Sequence, residues 1–166
     1  MSLRYLPEHA ERARQALALA EREAHHLAYT ARTLFAEALD PAWVAQLPQR
    51  EDRAEKLDAF VSRFARLQDH LGDKLLPRFA ALLGEAPRSL LDVLAFGERM
   101  GWIDDAEAFV GARKLRNLLV HEYLTDTTLF LDSLRSAASR TQMLLEVVAR
   151  LRTFARDIDL PGGGPG

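Results

Sequence analysis

Apolar residues recur every three or four positions along most of the chain, with charged and polar residues between them. That is the period of a helix buried on one face. The first stripe is Leu17, Ala20, Ala24, Leu27, Ala31, Leu34 and Ala38. It predicts a helix over about residues 8–39, opened behind Pro7 and closed by Asp40-Pro41. A linker with Pro41 and Pro48 follows, then a second helix over about 50–71 with Leu57, Phe60, Val61, Phe64 and Leu67 inward. Gly72 interrupts the pattern; a segment over about 73–83 continues it, bent at Pro77 and closed by Gly84. Pro87 is read as the first turn of the next helix, with Leu90, Leu91, Leu94 and Met100 facing inward.

After a turn at Gly101-Trp102, Asp104 reads as an N-cap, with Glu107 three residues on. That helix carries Phe109, Leu115, Leu118 and Leu119 and ends near residue 121. Thr125 or Asp126 caps a final helix to about residue 156. No strand-length alternation and no internal repeat appears. Long helices joined by short loops predict an all-α, antiparallel up-and-down bundle. Residues 1–157 form one domain, and 158–166 a flexible Gly/Pro tail. Broad stripes on the first and last helices leave a face for a homodimer.

Composition narrows the chemistry. The 166 residues carry 24 acidic and 22 basic side chains, a formal charge of −2, so any basic patch is local. There is no cysteine, which excludes disulfides, thiol catalysis and cysteine-ligated metals. The first residues lack the apolar core of a signal peptide, and no apolar run approaches the ~18 residues of a membrane span. The expectation is a cytoplasmic protein without membrane contact. Arginine's dominance over lysine reads as coding bias.

There is no Gly-rich phosphate loop, hydrolase triad or carboxylate cluster for magnesium. No metal and no cofactor is expected. The adjacent His25 and His26 point different ways and read as a solvated face. His70, with Arg66 and Asp69 close in sequence, is a candidate to line a cleft. Trp43 and Trp102 read as core anchors.

The stretch from Arg113 to Tyr123 says more. It groups Arg113, Lys114, Arg116, Asn117, His121 and Tyr123 around apolar residues near a helix end. Arg116, four residues, His121, one residue and Tyr123 resembles the R-x4-H-x-Y motif of HEPN-domain proteins, the HepT-like toxins in particular. Asn117 supplies the polar residue usual after that arginine. The all-helical frame and the Trp102-Ile103-Asp104 lead-in are similar too.

The resemblance implies a HEPN-like bundle, homodimeric, acting as a metal-independent endoribonuclease toxin of a toxin–antitoxin pair. It implies Arg116 and His121 as catalytic residues. It also implies Tyr123 as the site where a partner nucleotidyltransferase antitoxin attaches AMP, silencing the enzyme. The residue chemistry suits that role. An imidazole can move protons near neutral pH, and a guanidinium can fork onto phosphate. Arg113 and Lys114 add local positive charge for RNA. Asn117, four residues before His121, shares its face and is expected to orient the ring.

Arg116 and His121 are five residues apart, about 140° round an ideal helix. One phosphate can meet both only if the helix loosens or a second protomer completes the site. The resemblance implies the second protomer. Two alternatives stand beside the toxin: a non-catalytic substrate-binding or accessory subunit of a nucleotidyltransferase, and a purely structural interaction bundle.

Overall fold

The computed structural model describes residues 4–121 and 125–161. All its regular elements are helical, with no strand among the described residues. A single turn over Pro7–His9 leads into α1 (Ala10–Leu34). Next come α2 (Pro41–Ala45), α3 (Glu51–His70), α4 (Leu76–Leu82), α5 (Leu90–Arg99), α6 (Ala106–His121) and α7 (Thr127–Asp157). The main packing partners are α1 with α3 and α7, and α6 with α3 and α7. No helix among the described residues is long and apolar enough to cross a membrane.

The stripes form the core as periodicity predicts. Leu27, Leu34, Leu57, Phe60, Phe64, Leu67, Phe109, Leu134, Leu144 and Leu151 are fully buried. Four aromatic rings close one end. Trp102, 2 % exposed, has its ring 6.0 Å from Phe79, 5.4 Å from Phe96 and 5.2 Å from Phe154, all edge-on. Gly101 makes the turn before it with φ +75°, a conformation glycine adopts without steric cost.

Several boundaries differ from the sequence pattern, each for a local reason. α1 stops at Leu34, not near residue 39, because the chain turns to bury Leu39 and Trp43 beside α7. Asp40 does not simply end α1; its Oδ1 caps α2 by accepting from Trp43 N at 2.8 Å. The Gly72 break is a wide π-helical turn over Leu71–Leu75 that carries α3 into α4 without a loop. Pro77 sits in the first turn of α4, where its missing N–H is tolerated.

Pro87 lies outside α5. Ser89 Oγ accepts from Asp92 N, while Asp92 Oδ2 accepts from Arg88 N, so the reciprocal cap starts the helix later. Leu91, read as inward, is 66 % exposed. Asp104 does not cap α6, because Arg150 grips its carboxylate through both oxygens. Asp105 does that work, its Oδ1 accepting from Glu107 N at 2.9 Å. Asp126, one of the two expected caps, accepts from Leu129 N at 3.1 Å and starts α7.

The expected tail from residue 158 also begins too early. Ile158 and Leu160 are buried, Leu160 N donates to Ala155 O, and Arg14 Nη1 donates to Pro161 O. Residues 162–166 lie outside the described residues.

Candidate functional site

α6 runs unbroken from Ala106 to His121, so its side chains leave the axis in regular steps. Leu119, Ala112 and Phe109 turn to the core. Arg113 and Arg116 sit one turn apart and turn toward α3. Arg116 is half-buried, and Asp69 of α3 receives its guanidinium side-on: Nε donates to Oδ1 at 3.1 Å and Nη2 to Oδ2 at 2.8 Å. Arg113 Nη1 lies 3.6 Å from Asp73 Oδ1, the carboxylate one turn further along. Two arginine–carboxylate pairs therefore tie the α3–α6 seam.

Beside the seam is an open groove. Val61, Ala65 and Leu119 give it apolar walls, and Asp58, Ser62, Arg66, Asp69, Arg116 and Val120 give its polar and mixed rim. The bidentate contact occupies the Nε/Nη2 edge of Arg116. Nη1 donates to Asn117 Oδ1 at 3.3 Å. One further N–H on each of Nη1 and Nη2 has no protein acceptor among the described residues.

His121 is exposed and turns away from this groove. With Lys114, Asn117 and Leu118 it lines a separate shallow depression on α6. Asn117 and His121 therefore share a face, as the spacing predicts. The expected hydrogen bond between them is absent among the described residues; the Asn117 oxygen accepts from Arg116 Nη1. Arg116 and His121 are not brought together within one chain, and the helix does not loosen before His121. Lys114 is exposed beside them. Tyr123, the expected modification site, lies outside the described residues.

The other candidates fall elsewhere. His70 does not line a cleft; it is buried, and its Nε2 lies 2.8 Å from the carbonyl oxygen of Ala16. A carbonyl only accepts, so Nε2 carries the proton and ties α3 to α1. Trp43 and Trp102 are buried anchors, as expected. His25 and His26 are exposed, with rings 5.6 Å apart edge-on. No group of three or more histidines and carboxylates among the described residues is placed to hold a metal ion.

Sequence reasoning missed Asp69 as the partner of Arg116, 47 residues away. The available signal was a matched spacing: Asp69 and Asp73 four apart on one helix, Arg113 and Arg116 three apart on another. The resolved shifts in titration lie away from this seam. The Arg150 guanidinium, by hydrogen bonding, holds the Asp104 carboxyl below its usual range. The Trp43 indole N–H, aided by Arg53, does the same for Glu37, and Arg50 lowers Asp52 to about 2. Comparison with protein-family models, curated proteins and solved structures finds no match for this chain.

Proposed function

We propose that this chain is a metal-independent endoribonuclease of the HepT-like HEPN type, the toxin half of a pair with a nucleotidyltransferase. The observation that carries the reading is the state of Arg116. Asp69 holds its guanidinium by one edge, and Arg116 lines a solvent-open groove with N–H groups to spare. A guanidinium so fixed can fork onto a phosphodiester and stabilise the charge of a pentavalent phosphorane without reorganising. His121 supplies the proton transfers, taking the proton of the ribose 2′-hydroxyl or giving one to the leaving 5′-oxygen. Attack by the 2′-hydroxyl restricts the reaction to RNA and leaves a 2′,3′-cyclic phosphate.

Because Arg116 and His121 open on different faces of α6, the site is completed by a second copy, with His121 of one protomer facing Arg116 of the other. Val120 and Leu129, each 40 % exposed near the end of α6 and the start of α7, are apolar surface suited to that contact. Adenylylation of Tyr123, two residues beyond His121, adds bulk and negative charge near the cleft and blocks RNA.

The test is cleavage of transfer RNA and a single-stranded RNA in EDTA by protein whose intact mass shows an unmodified chain. Wild type cuts; Arg116→Ala and His121→Ala do not, and their mixture regains activity if each cleft draws on two chains. No cleavage by unmodified wild type would favour the second reading, an accessory subunit of a nucleotidyltransferase.

A further inference from the structure

On the other side of α3, away from α6, a second recess opens against α1. Glu23, His26, Arg63 and Arg66 line it. Arg66 borders this recess and the Arg116 groove alike, so the two are joined across the outer face of α3. Two guanidiniums and an imidazole meet here against a single carboxylate, which makes the recess electropositive in a chain whose net charge is negative.

The four side chains are not equivalent. Arg63 is anchored: its Nη1 donates to the His26 carbonyl oxygen at 3.3 Å and to the Thr30 hydroxyl. Those bonds fix its position and leave its charge uncompensated, for no carboxylate among the described residues pairs with it. Arg66 is exposed and has neither a carboxylate partner nor a hydrogen bond among the described residues. Glu23 keeps one carboxylate oxygen shielded from water with no donor. The Glu23 carboxylate lines the recess, and its other oxygen, not so shielded, can accept from a hydroxyl that enters it. The recess thus offers cations for a phosphate and an acceptor for an adjacent hydroxyl, the two features a ribonucleotide presents together.

We infer that the α1–α3 recess is a subsite for a phosphodiester of single-stranded RNA, further along the same strand from the phosphate held at Arg116. The strand crosses the outer face of α3, a helix about 10 Å across, with Arg66 as the contact midway. Arg63 and Arg66 hold the phosphate, and Glu23 takes the 2′-hydroxyl. The polymer's identity rests on the ribonuclease reading; the electropositive recess does not.

The experiment separates the two. A fluorescent single-stranded RNA 12-mer is titrated in EDTA into His121→Ala protein, which leaves the RNA uncut, and into the same protein carrying Arg66→Ala. Arg66 is exposed and unpaired, so its removal leaves folding intact, which circular dichroism checks. Arg66→Ala weakens RNA binding about tenfold and flattens the dependence of log K on log salt by about 0.7 for the lost phosphate contact. Glu23→Gln narrows the preference for this RNA over DNA of the same sequence. Equal RNA affinity and salt slope with and without Arg66, or no RNA binding at all, overturns the assignment. Phosphate-ion binding that depends on Arg66, with RNA affinity unchanged, marks a free-phosphate site and overturns it too. Failure of the ribonuclease reading looks different: wild type would bind RNA through Arg66 and leave it whole.

Discussion

At the Trp102 end of the bundle, α4, α5 and α7 close on one another around edge-on aromatic rings. At the Arg116 end, α3 and α6 meet through two arginine–carboxylate pairs beside an open groove. Both join helices distant in sequence, but with different physics. Buried rings gain from leaving water and from close packing, and that gain is large and insensitive to salt. Partly exposed ion pairs contribute little to stability, commonly under about 1 kcal/mol, yet they fix direction. The aromatic end keeps the bundle folded, and the charged seam keeps donors aimed.

The sharpest break of that contrast is Trp102→Ala. Removing this ring from the aromatic cluster lowers stability by about 3–5 kcal/mol, read from urea unfolding. A loss under about 1 kcal/mol would mean the cluster is not what closes that end.

Gln68 tests the same contrast from the other side. It lies next to Asp69 in sequence but is fully buried, and neither polar atom of its amide has a partner among the described residues. Gln68→Met keeps the shape and removes the unsatisfied groups, so thermal unfolding should show a gain of about 1–2 kcal/mol. No gain would point to a buried water holding the amide.

Asp69→Asn sharpens the distinction between holding and folding. The substitution keeps the shape but gives up the charged fork around Arg116. Stability moves by under about 1 kcal/mol, while on the ribonuclease reading proposed above RNA cleavage falls about tenfold in kcat, equivalent to about 1.4 kcal/mol of transition-state stabilisation. Equal losses in stability and rate would reduce Asp69 to a tie between helices.

The smallest effect is one of pH. Asp104 titrates below its usual 3.8 because Arg150 hydrogen-bonds its carboxylate. A carboxyl lowered on folding favours the folded state above its unfolded value, and that contribution fades as pH drops through the folded one. Arg150→Met therefore moves the Asp104 midpoint back up toward 3.8, measured from its carboxyl-carbon resonance. An unmoved midpoint would mean the contact is not held in solution.

Local signals in the sequence foretell much of this. The spacing of Phe109, Leu115 and Leu119 places the inner face of α6, though Leu118 falls on the His121 face and Ala112 takes an inward place, and Asp126 marks the start of α7. The same periodicity separates Arg116 from His121 round the helix, as observed. Partners chosen across the fold are what it hides. Asp104 has the right place and type for a cap, but Arg150, 46 residues on, takes its carboxylate. Asn117 has the right spacing to hold His121, yet its one hydrogen bond among the described residues is to its neighbour Arg116. Leu91 obeys the helical spacing and still faces water, because α5 turns Leu90, Val93, Leu94 and Gly97 to the core instead. Competition for a polar group is decided in three dimensions, and no local pattern records it.

The wide turn over Leu71–Leu75 sets the phase of one long rod. A π-helical turn accommodates one residue more than an α-helical turn, so everything beyond it is offset by about 100° from where uniform winding would put it. Before the turn the rod shows Arg66 and Asp69 to the grooves; after it, Phe79 reaches the Trp102 rings. Deleting a single residue within this turn would let it wind as an ordinary α-turn and leave both ends of the rod in step, whereas the same deletion elsewhere in α3 would swing one end out of step with the other.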